Sequence, residues 1–264
     1  MTKPVRLGAV DYLNARPLVY GLELRNDLFT LRFDVPSKCA ALLHEGSIDV
    51  GMIPSIEFLR GASYRIVPGA GIISEGPVAS VALFTTRPIE KIRTIAADTS
   101  SRASNALLHV LCLERFGIDP EFRPMHPDAA LMLQECDAAL LIGDPALFLD
   151  YQALGATKVD LGEEWFSMTA LPFVWAFWAG RPEALTHEAV AALLTARDGG
   201  VAGSDAIAAS YCGPDRASLG QAYLRENIRY SLGEREEEGL RMYYELAGKH
   251  GLVRTVPPPA FYHR

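Results

Sequence analysis

The sequence predicts an α/β fold of two lobes with a ligand cleft between them. Segments typical of strands alternate with helical segments up to about Thr86, and a second alternation runs from Thr94 to about Leu149. A buried strand at residues 173–179 lies where the chain must cross back between the lobes. With 264 residues, of which 49% are hydrophobic, the chain can bury a large core and form two modest lobes.

The first element is an apolar strand that opens at Val5 and runs into a polar turn and a helix containing Pro17. In open α/β sheets small molecules bind beyond the carboxyl ends of strands, which places Asn14 where a ligand can sit. Asn is also a preferred N-cap, and Pro suits an early helical position. From this segment alone, a capping role for Asn14 is favoured over contact with a ligand.

The same junction between strand and helix recurs along the chain. Residues 48–53 predict a buried strand, after which Pro54 lies in the first turn of a helix. Residues 94–98 predict another strand, followed by a polar turn and a long helix over residues 103–116. A fourth strand over residues 138–143 leads into Asp-Pro, which is typical of a helix start.

These junctions favour a small anionic ligand. A helix N-terminus offers unpaired N–H donors and about half a positive charge, which suits carboxylate or phosphate groups. The chain as a whole is acidic, with 25 Lys plus Arg against 32 Asp plus Glu. Long-range attraction therefore does not favour polyanions, and nucleic acid is not an expected partner.

Two crossings divide the chain into lobes. A strand at residues 80–86, followed by an Arg-Pro turn, gives the first crossing, and the strand at residues 173–179 gives the second. The predicted parts are residues 1–86 for the first part of lobe 1, 87–174 for lobe 2, and 175–264 for the return to lobe 1 and the C-terminal helices. Those helices are predicted over residues 183–197, 202–211, 217–226 and 234–250, and residues 227–232 predict a short strand or an extended link.

The sequence predicts a cytoplasmic protein that does not enter a membrane. Residues 1–4 run directly into the first strand and leave no room for a signal peptide. No apolar run reaches the ~20 residues that a membrane span needs. The cysteines have no CxxC spacing and lie in apolar surroundings typical of small core residues, at Cys39, Cys112, Cys136 and Cys212.

Six motifs carry a resemblance to a known family. They are YLNARPL (12–18), GMIPSIE (51–57), GPVASV (76–81), DTSSR (98–102), LIGDPAL (141–147) and LPFV (171–174). In this order and spacing they resemble the chorismate dehydratases of the futalosine route to menaquinone, over nearly the whole chain. The resemblance implies a fold similar to type II periplasmic solute-binding proteins, with the cleft between the lobes used for chemistry.

The resemblance implies a dehydration in which chorismate loses its C3 proton and C4 hydroxyl and becomes 3-[(1-carboxyvinyl)oxy]benzoate. Such an elimination needs a base near C3, help for the departing hydroxyl and a held geometry, but no cofactor and no metal. The six histidines lie at no junction, Glu57 lies within a helix, and Asp144 is better explained as a cap. The resemblance therefore points to substrate assistance, in which the enolpyruvyl carboxylate takes the C3 proton.

The expected site gathers donors from both lobes around chorismate. Asn14 is expected to orient the enolpyruvyl carboxylate or the C4 hydroxyl, since its amide both donates and accepts hydrogen bonds. The turn before the 103–116 helix is expected to bind a carboxylate. The predicted substrate-binding residues are Ser55, Ser80, Thr99, Ser100, Ser101, Arg102, Gly143 and Asp144.

Two other functions share these features. A solute-binding protein has the same lobes and the same anion-binding turns, although it normally carries an export signal. An enzyme similar to 1,4-dihydroxy-6-naphthoate synthase is the other alternative, because the same broad fold also hosts that activity. Incubation with chorismate separates the three hypotheses, and the oligomeric state is left open.

Overall fold

The computed structural model describes residues 3–61 and 63–263, which form two β-sheets with helices packed around them. Its strands are β1 (Val5–Val10), β2 (Phe29–Asp34), β3 (Val50–Pro54), β4 (Arg65–Ile66), β5 (Ile72–Ser74), β6 (Val81–Thr85), β7 (Thr94–Asp98), β8 (Glu121–Met125), β9 (Ala138–Ile142), β10 (Thr157–Asp160) and β11 (Phe173–Gly180).

Each lobe is built on one sheet. The first sheet has the order β2-β1-β3-β11-β4, with β5 paired to β11, and its strands β1, β2 and β3 are parallel. The second sheet has the order β10-β6-β9-β7-β8, with β7 parallel to both β8 and β9. Parallel strands have their carboxyl ends at the same edge of a sheet, so the strand-to-helix junctions of each sheet lie close together at that edge. The predicted two-lobed α/β fold is confirmed.

The predicted lobe boundaries need correction at both crossings. The strand predicted at residues 80–86 is β6, which pairs with β9 and β10 in the second sheet, so the first crossing precedes Val81. Phe173 and Val174 pair with β5 in the first sheet, so the second crossing precedes β11. A strand's lobe is decided by its pairing partner, which the local pattern of residues does not contain.

The helices follow the predicted order. The α-helices are α1 (Pro36–Glu45), α2 (Arg102–Leu111), α3 (Ala129–Glu135), α4 (Gly143–Leu147), α5 (Leu161–Thr169), α6 (His187–Ala202), α7 (Ser204–Cys212), α8 (Ala217–Ala222) and α9 (Glu234–Lys249). Short 3-10 helices cover Leu13–Val19, Leu22–Leu24, Ser55–Arg60 and Ile89–Lys91, and π-helical turns cover Cys112–Phe116 and Tyr223–Asn227. In the predicted link at residues 227–232, Arg229 forms an isolated bridge with Ile73, and the Tyr230 carbonyl accepts a hydrogen bond from the Gly71 amide.

An aromatic cluster joins β11 to the helices α5 and α9. The Trp165 ring meets Phe173 edge-on at 5.3 Å between centroids, and Phe173 meets Tyr243 at 4.8 Å. All three side chains are fully buried. Such pairs contribute about 0.5–1.5 kcal/mol beyond the burial of their area, so the cluster fixes β11, the strand that carries part of the cleft wall.

Three of the four cysteines lie in the core. Cys39, Cys112 and Cys136 are buried and unpaired, as expected of core residues, whereas Cys212 is half-buried. Within residues 3–61 and 63–263, no helix combines the length and the apolar character needed to cross a membrane.

Candidate active site

A cavity of about 50 Å³ lies between the lobes, among the strand ends of both sheets. Its polar lining consists of Tyr12, Asn14, Ser101, Ser104, the backbone of Gly143, and Trp175. A wider, mostly apolar groove of about 800 Å³ lies elsewhere, between the first 3-10 helix and α7, and contains none of the predicted site residues. The cavity between the lobes is therefore the candidate site, because the strand-to-helix junctions converge there.

Asn14 lines this cavity and does not cap a helix. The 3-10 helix Leu13–Val19 has Tyr12 at its N-cap position, and no side chain caps it. The capping alternative for Asn14 is therefore wrong. The Tyr230 hydroxyl donates to the Asn14 carbonyl at 2.9 Å, which holds the backbone of Asn14 from the C-terminal part of the chain.

Ser80 is buried and turns its hydroxyl away from solvent. Its Oγ lies 2.6 Å from the hydroxyl of Tyr223, and its carbonyl accepts a hydrogen bond from the Gly143 amide at 2.7 Å. Burial raises the pKa of Tyr223, and hydrogen bonds with the side chains of Ser80 and Asn14 oppose that shift. Ser80, a predicted site residue, thus bonds to a tyrosine that the sequence analysis did not select.

The segment before Ser80 has an unusual backbone that Asp160 stabilises. Ala79 has a φ of 62°, a left-handed conformation that costs a non-glycine residue about 1–2 kcal/mol. The Asp160 carboxylate accepts hydrogen bonds from the amides of Val78 at 3.0 Å and Ala79 at 2.7 Å, and it also caps α5. The Asp160 carboxylate therefore links the segment before β6, where the chain enters the second lobe, to α5, which precedes the return to the first lobe.

The turn at the start of α2 is divided between the cavity and the protein interior. Ser101 caps α2 and donates from its Oγ to the Ser104 hydroxyl at 2.8 Å, and both serines line the cavity. Ser100 donates to Asp98 at 2.6 Å instead, and Thr99 is exposed to solvent. Of this predicted carboxylate site, Ser101 alone lines the cavity.

Asp98 is a buried carboxylate that sequence analysis did not consider as a base. Its Oδ1 accepts from the amide and hydroxyl of Ser100, whereas Oδ2 has no hydrogen-bond partner among residues 3–61 and 63–263. Burial raises the pKa of Asp98, and the hydrogen bonds from Ser100 oppose the rise. The feature of the sequence that could have identified Asp98 is its position, as a charged residue at the end of an apolar strand.

Arg102 belongs to an ion-pair cluster centred on Glu57. The fully buried Glu57 carboxylate accepts from Arg102 at 2.8 Å, from Arg60 at 2.8 Å and from His44 at 2.9 Å. Burial raises the pKa of Glu57, but the hydrogen bond with His44 and the charges of Arg102 and Arg60 outweigh it and leave the pKa below its usual value. Arg102 begins α2 and Glu57 lies after β3, so this pair ties the two lobes together.

Asp144 forms a second link between the lobes. The prediction that it caps α4 is wrong, because the N-cap position belongs to Ile142. Its carboxylate accepts from the Leu13 amide at 3.1 Å and from the Tyr211 hydroxyl. Burial raises the pKa of Asp144, and these two hydrogen bonds oppose the rise.

Two predicted residues, Gly143 and Ser55, occupy contrasting positions. Gly143 lines the cavity with a φ of +63°, and a Cβ there would lie 2.8 Å from the Tyr12 ring, so a side chain is excluded both by conformation and by space. Ser55 is fully buried, and its Oγ has no hydrogen-bond partner within the described residues.

No group of three or more His, Cys, Asp or Glu residues in the described part of the chain is placed to hold a metal ion.

Comparisons with known proteins agree with this architecture. The sequence model of a family described as menaquinone biosynthesis matches residues 5–249. A chorismate dehydratase from Thermus thermophilus is 32% identical over 93% of this chain and 96% of its own length, and one from Campylobacter jejuni is 32% identical over 64% of each chain. The alkanesulfonate-binding protein SsuA from Xanthomonas axonopodis has the same fold, with a TM-score of 0.72 at 20% identity over 97% of this chain and 96% of that one. The chain therefore belongs to the menaquinone biosynthesis family.

Proposed function

We propose that this chain is a chorismate dehydratase that works in the cleft between its lobes. The observation that carries the proposal is 32% identity to a chorismate dehydratase over 93% of the chain. The polar lining of the cavity supports it, because neutral donors from both lobes face a space bordered by the N-terminus of α2. A cytoplasmic location is part of the same proposal.

The reaction is a 1,2-elimination that the substrate assists. The C3–H bond breaks and its proton passes to the enolpyruvyl carboxylate; the C4–O bond breaks, and the departing hydroxyl takes that same proton from the enolpyruvyl carboxyl group and leaves as water. The electron pair of the C3–H bond completes the aromatic ring. Correct positioning of groups within one molecule contributes up to about 7–11 kcal/mol, so orientation is the main contribution asked of the protein.

The proposed roles follow from where each side chain lies. Asn14 orients the enolpyruvyl carboxylate or the C4 hydroxyl from the first lobe. Ser101 and the backbone of Gly143 meet the substrate from the second lobe. Arg102 contributes through its charge at the start of α2 while it remains paired with Glu57. The other predicted contacts, Ser55, Ser80, Thr99, Ser100 and Asp144, stay predictions.

The size of the cavity requires the lobes to separate before the substrate enters. Sites for small molecules usually measure about 300–1,000 Å³, and this cavity measures about 50 Å³. The link between Glu57 and Arg102 and that between Asp144 and Tyr211 both span the interface. We propose that these links break or lengthen when the substrate enters.

Incubation of the purified protein with chorismate tests the function. We expect chorismate to be consumed and an aromatic product 18 mass units lighter to appear, as judged by absorbance and mass spectrometry. A mock purification from host cells without the gene serves as the control for contaminating activity. Binding of chorismate without conversion would contradict the proposal and favour a solute-binding protein, whereas conversion only of the substrate of 1,4-dihydroxy-6-naphthoate synthase would favour that enzyme.

A further inference from the structure

Trp175 lies in the wall of the cavity, at an irregularity in the strand β11. The pairing of β11 with β5 changes register between Val174 and Ala176, where two steps along β11 correspond to one step along β5. Trp175 is therefore the extra residue of a β-bulge. Successive side chains of a regular strand point to opposite faces, yet Trp175 and Ala176 both line the cavity. The bulge accounts for this arrangement, since bulges change the direction in which a side chain points.

Residues outside the cavity lining fix the orientation of the indole. Its Nε1 donates a hydrogen bond to Ser74 Oγ at 3.0 Å, and both side chains are buried. A Cβ on Gly162 would lie 2.8 Å from that Oγ, so the glycine in α5 leaves room for the hydroxyl. On the same strand, the Phe173 ring packs against the indole with 4.4 Å between centroids. Trp175 is thus held in place before any ligand is bound.

The bonded N–H group determines what Trp175 offers to a ligand. Because Nε1 already has Ser74 as its partner, the indole meets the cavity with ring surface and without a free donor. Hydrogen-bonding groups come from other lining residues, among them Asn14 and Ser101. Aromatic rings pack well against flat, unsaturated rings in offset or edge-on arrangements. The lining therefore combines groups suited to carboxylates with a rigid surface suited to a ring.

We propose that Trp175 determines specificity by packing against the ring of the ligand, and that Ser74 positions Trp175 for this contact. The inference rests on the proposed function for the identity of the ligand, a six-membered ring that carries carboxylates. During the elimination the saturated carbons C3 and C4 become part of a planar aromatic ring. A flat indole therefore complements the ring better as the reaction proceeds.

This ring contact belongs to one lobe. β5 and β11 pair within the first sheet, so the bond between Trp175 and Ser74 does not cross the lobe interface. Separation of the lobes leaves that bond intact, unlike the links of Glu57 and Asp144. The first lobe therefore presents the ring surface in advance, and Ser101 of the second lobe reaches the ligand when the lobes approach.

Binding of the aromatic product, 3-[(1-carboxyvinyl)oxy]benzoate, tests the ring contact by isothermal titration calorimetry. We expect Trp175→Leu to raise Kd about 5- to 10-fold and Trp175→Phe to raise it less than about 3-fold, because Phe keeps an aromatic face and Leu only apolar volume. The matched control is Trp178→Phe, which replaces a fully buried indole of the same strand that does not line the cavity. We expect the control to leave Kd unchanged. Equal Kd values for the two Trp175 variants would overturn the inference.

Intrinsic fluorescence gives a readout that does not require the Leu variant to fold. The chain has three tryptophans, of which Trp165 and Trp178 are fully buried and lie outside the cavity lining. We expect the product to change the fluorescence of the wild type and of Trp178→Phe. Most of this change is expected to be lost in Trp175→Phe, and a change as large as that of the wild type would overturn the inference.

A double-mutant cycle tests the positioning role of Ser74. Ser74→Ala alone is expected to raise the Kd of the product about 3- to 5-fold, because it leaves the buried indole N–H without its acceptor. In the Trp175→Phe background the same substitution is expected to change Kd less than about 1.5-fold, because Phe has no N–H group to hold. No loss in the wild-type background, or the same loss in both, would refute positioning by Ser74.

The two proposals fail in different ways. If the wild type does not convert chorismate but the product binds with the expected effects of the Trp175 variants, the proposed function is refuted and the ring contact is supported. If the wild type converts chorismate and the Trp175 variants keep the wild-type Kd, the ring contact alone is refuted.

Discussion

Replacing Glu57 with Gln tests the ion-pair cluster that joins the lobes. The carboxylate is fully buried and accepts three charge-assisted hydrogen bonds, from Arg102, Arg60 and His44. Gln has one acceptor oxygen and an NH2 group that cannot accept, so at least one of the three donors loses its acceptor; with charge-assisted bonds contributing about 1.5–3 kcal/mol each, the substitution costs about 3 kcal/mol. The three partner side chains are 26–45% exposed, which weakens the effect by solvent screening and leaves about 2–3 kcal/mol.

The assay is thermal unfolding followed by circular dichroism. Each kcal/mol shifts the melting temperature of a protein of this size by about 2–4 °C, so Glu57→Gln is expected to melt about 5–10 °C below the wild type. The matched control is Glu121→Gln, which neutralises a carboxylate that is 61% exposed and pairs with Arg123. If the two variants melt within about 1 °C of each other, the reasoning about the buried cluster is refuted.

The dependence on pH provides a second readout of the same cluster. The pKa of Glu57 is lowered in the folded protein, so its contribution to stability is fully present above the unfolded value of 4.5. That contribution is lost as the pH falls through the lower, folded value. We therefore expect the difference in melting temperature between the wild type and Glu57→Gln to shrink as the pH is lowered below about 4.5.

Three further substitutions address the remaining site residues. Asn14→Ala is expected to lower kcat about 10²-fold without unfolding the protein, and activity within about 3-fold of the wild type would remove Asn14 from the mechanism. Asp144→Asn is expected not to lower the melting temperature at pH 7. A carboxyl whose pKa is raised on folding contributes stability below its unfolded pKa of 3.8, and that contribution is lost as the pH rises through the folded pKa. A fall in melting temperature as large as that of Glu57→Gln would contradict this. Asp98→Asn is expected to lower kcat by no more than about 10²-fold, and a loss of ~10⁴-fold that small exogenous bases rescue would make Asp98 the general base.

The order of strands and helices was largely predictable from the sequence. The strand predicted at residues 94–98 is β7 (Thr94–Asp98), and the helix predicted at residues 234–250 is α9 (Glu234–Lys249). Apolar runs and caps are local signals, and they fix such elements well. The lobe of β6 was not predictable, because its partners β9 and β10 lie more than fifty residues further along the chain.

The candidate site was predictable only for residues whose place in the cavity lining follows from their position after a strand. Asn14, Ser101 and Gly143 line the cavity because they follow the carboxyl ends of strands. The partner of Arg102 is Glu57, 45 positions away, and no local pattern pairs them. Asp144 illustrates the opposite error, since Asp-Pro is typical of a helix start, yet its carboxylate bonds across the lobe interface.

Asp98 is the protein group that most directly challenges substrate assistance. It lies at the end of β7, close to the junction, and its raised pKa is typical of groups that exchange protons. Its geometry favours a structural role, because Oδ1 is held by two hydrogen bonds from Ser100 and the side chain is completely buried. A base must come within about 3 Å of the proton it removes, whereas Asp98 does not line the cavity. In the proposed substrate assistance, the enolpyruvyl carboxylate travels with the substrate and needs no such access, so the proposed elimination does not depend on Asp98, which lies behind Ser100.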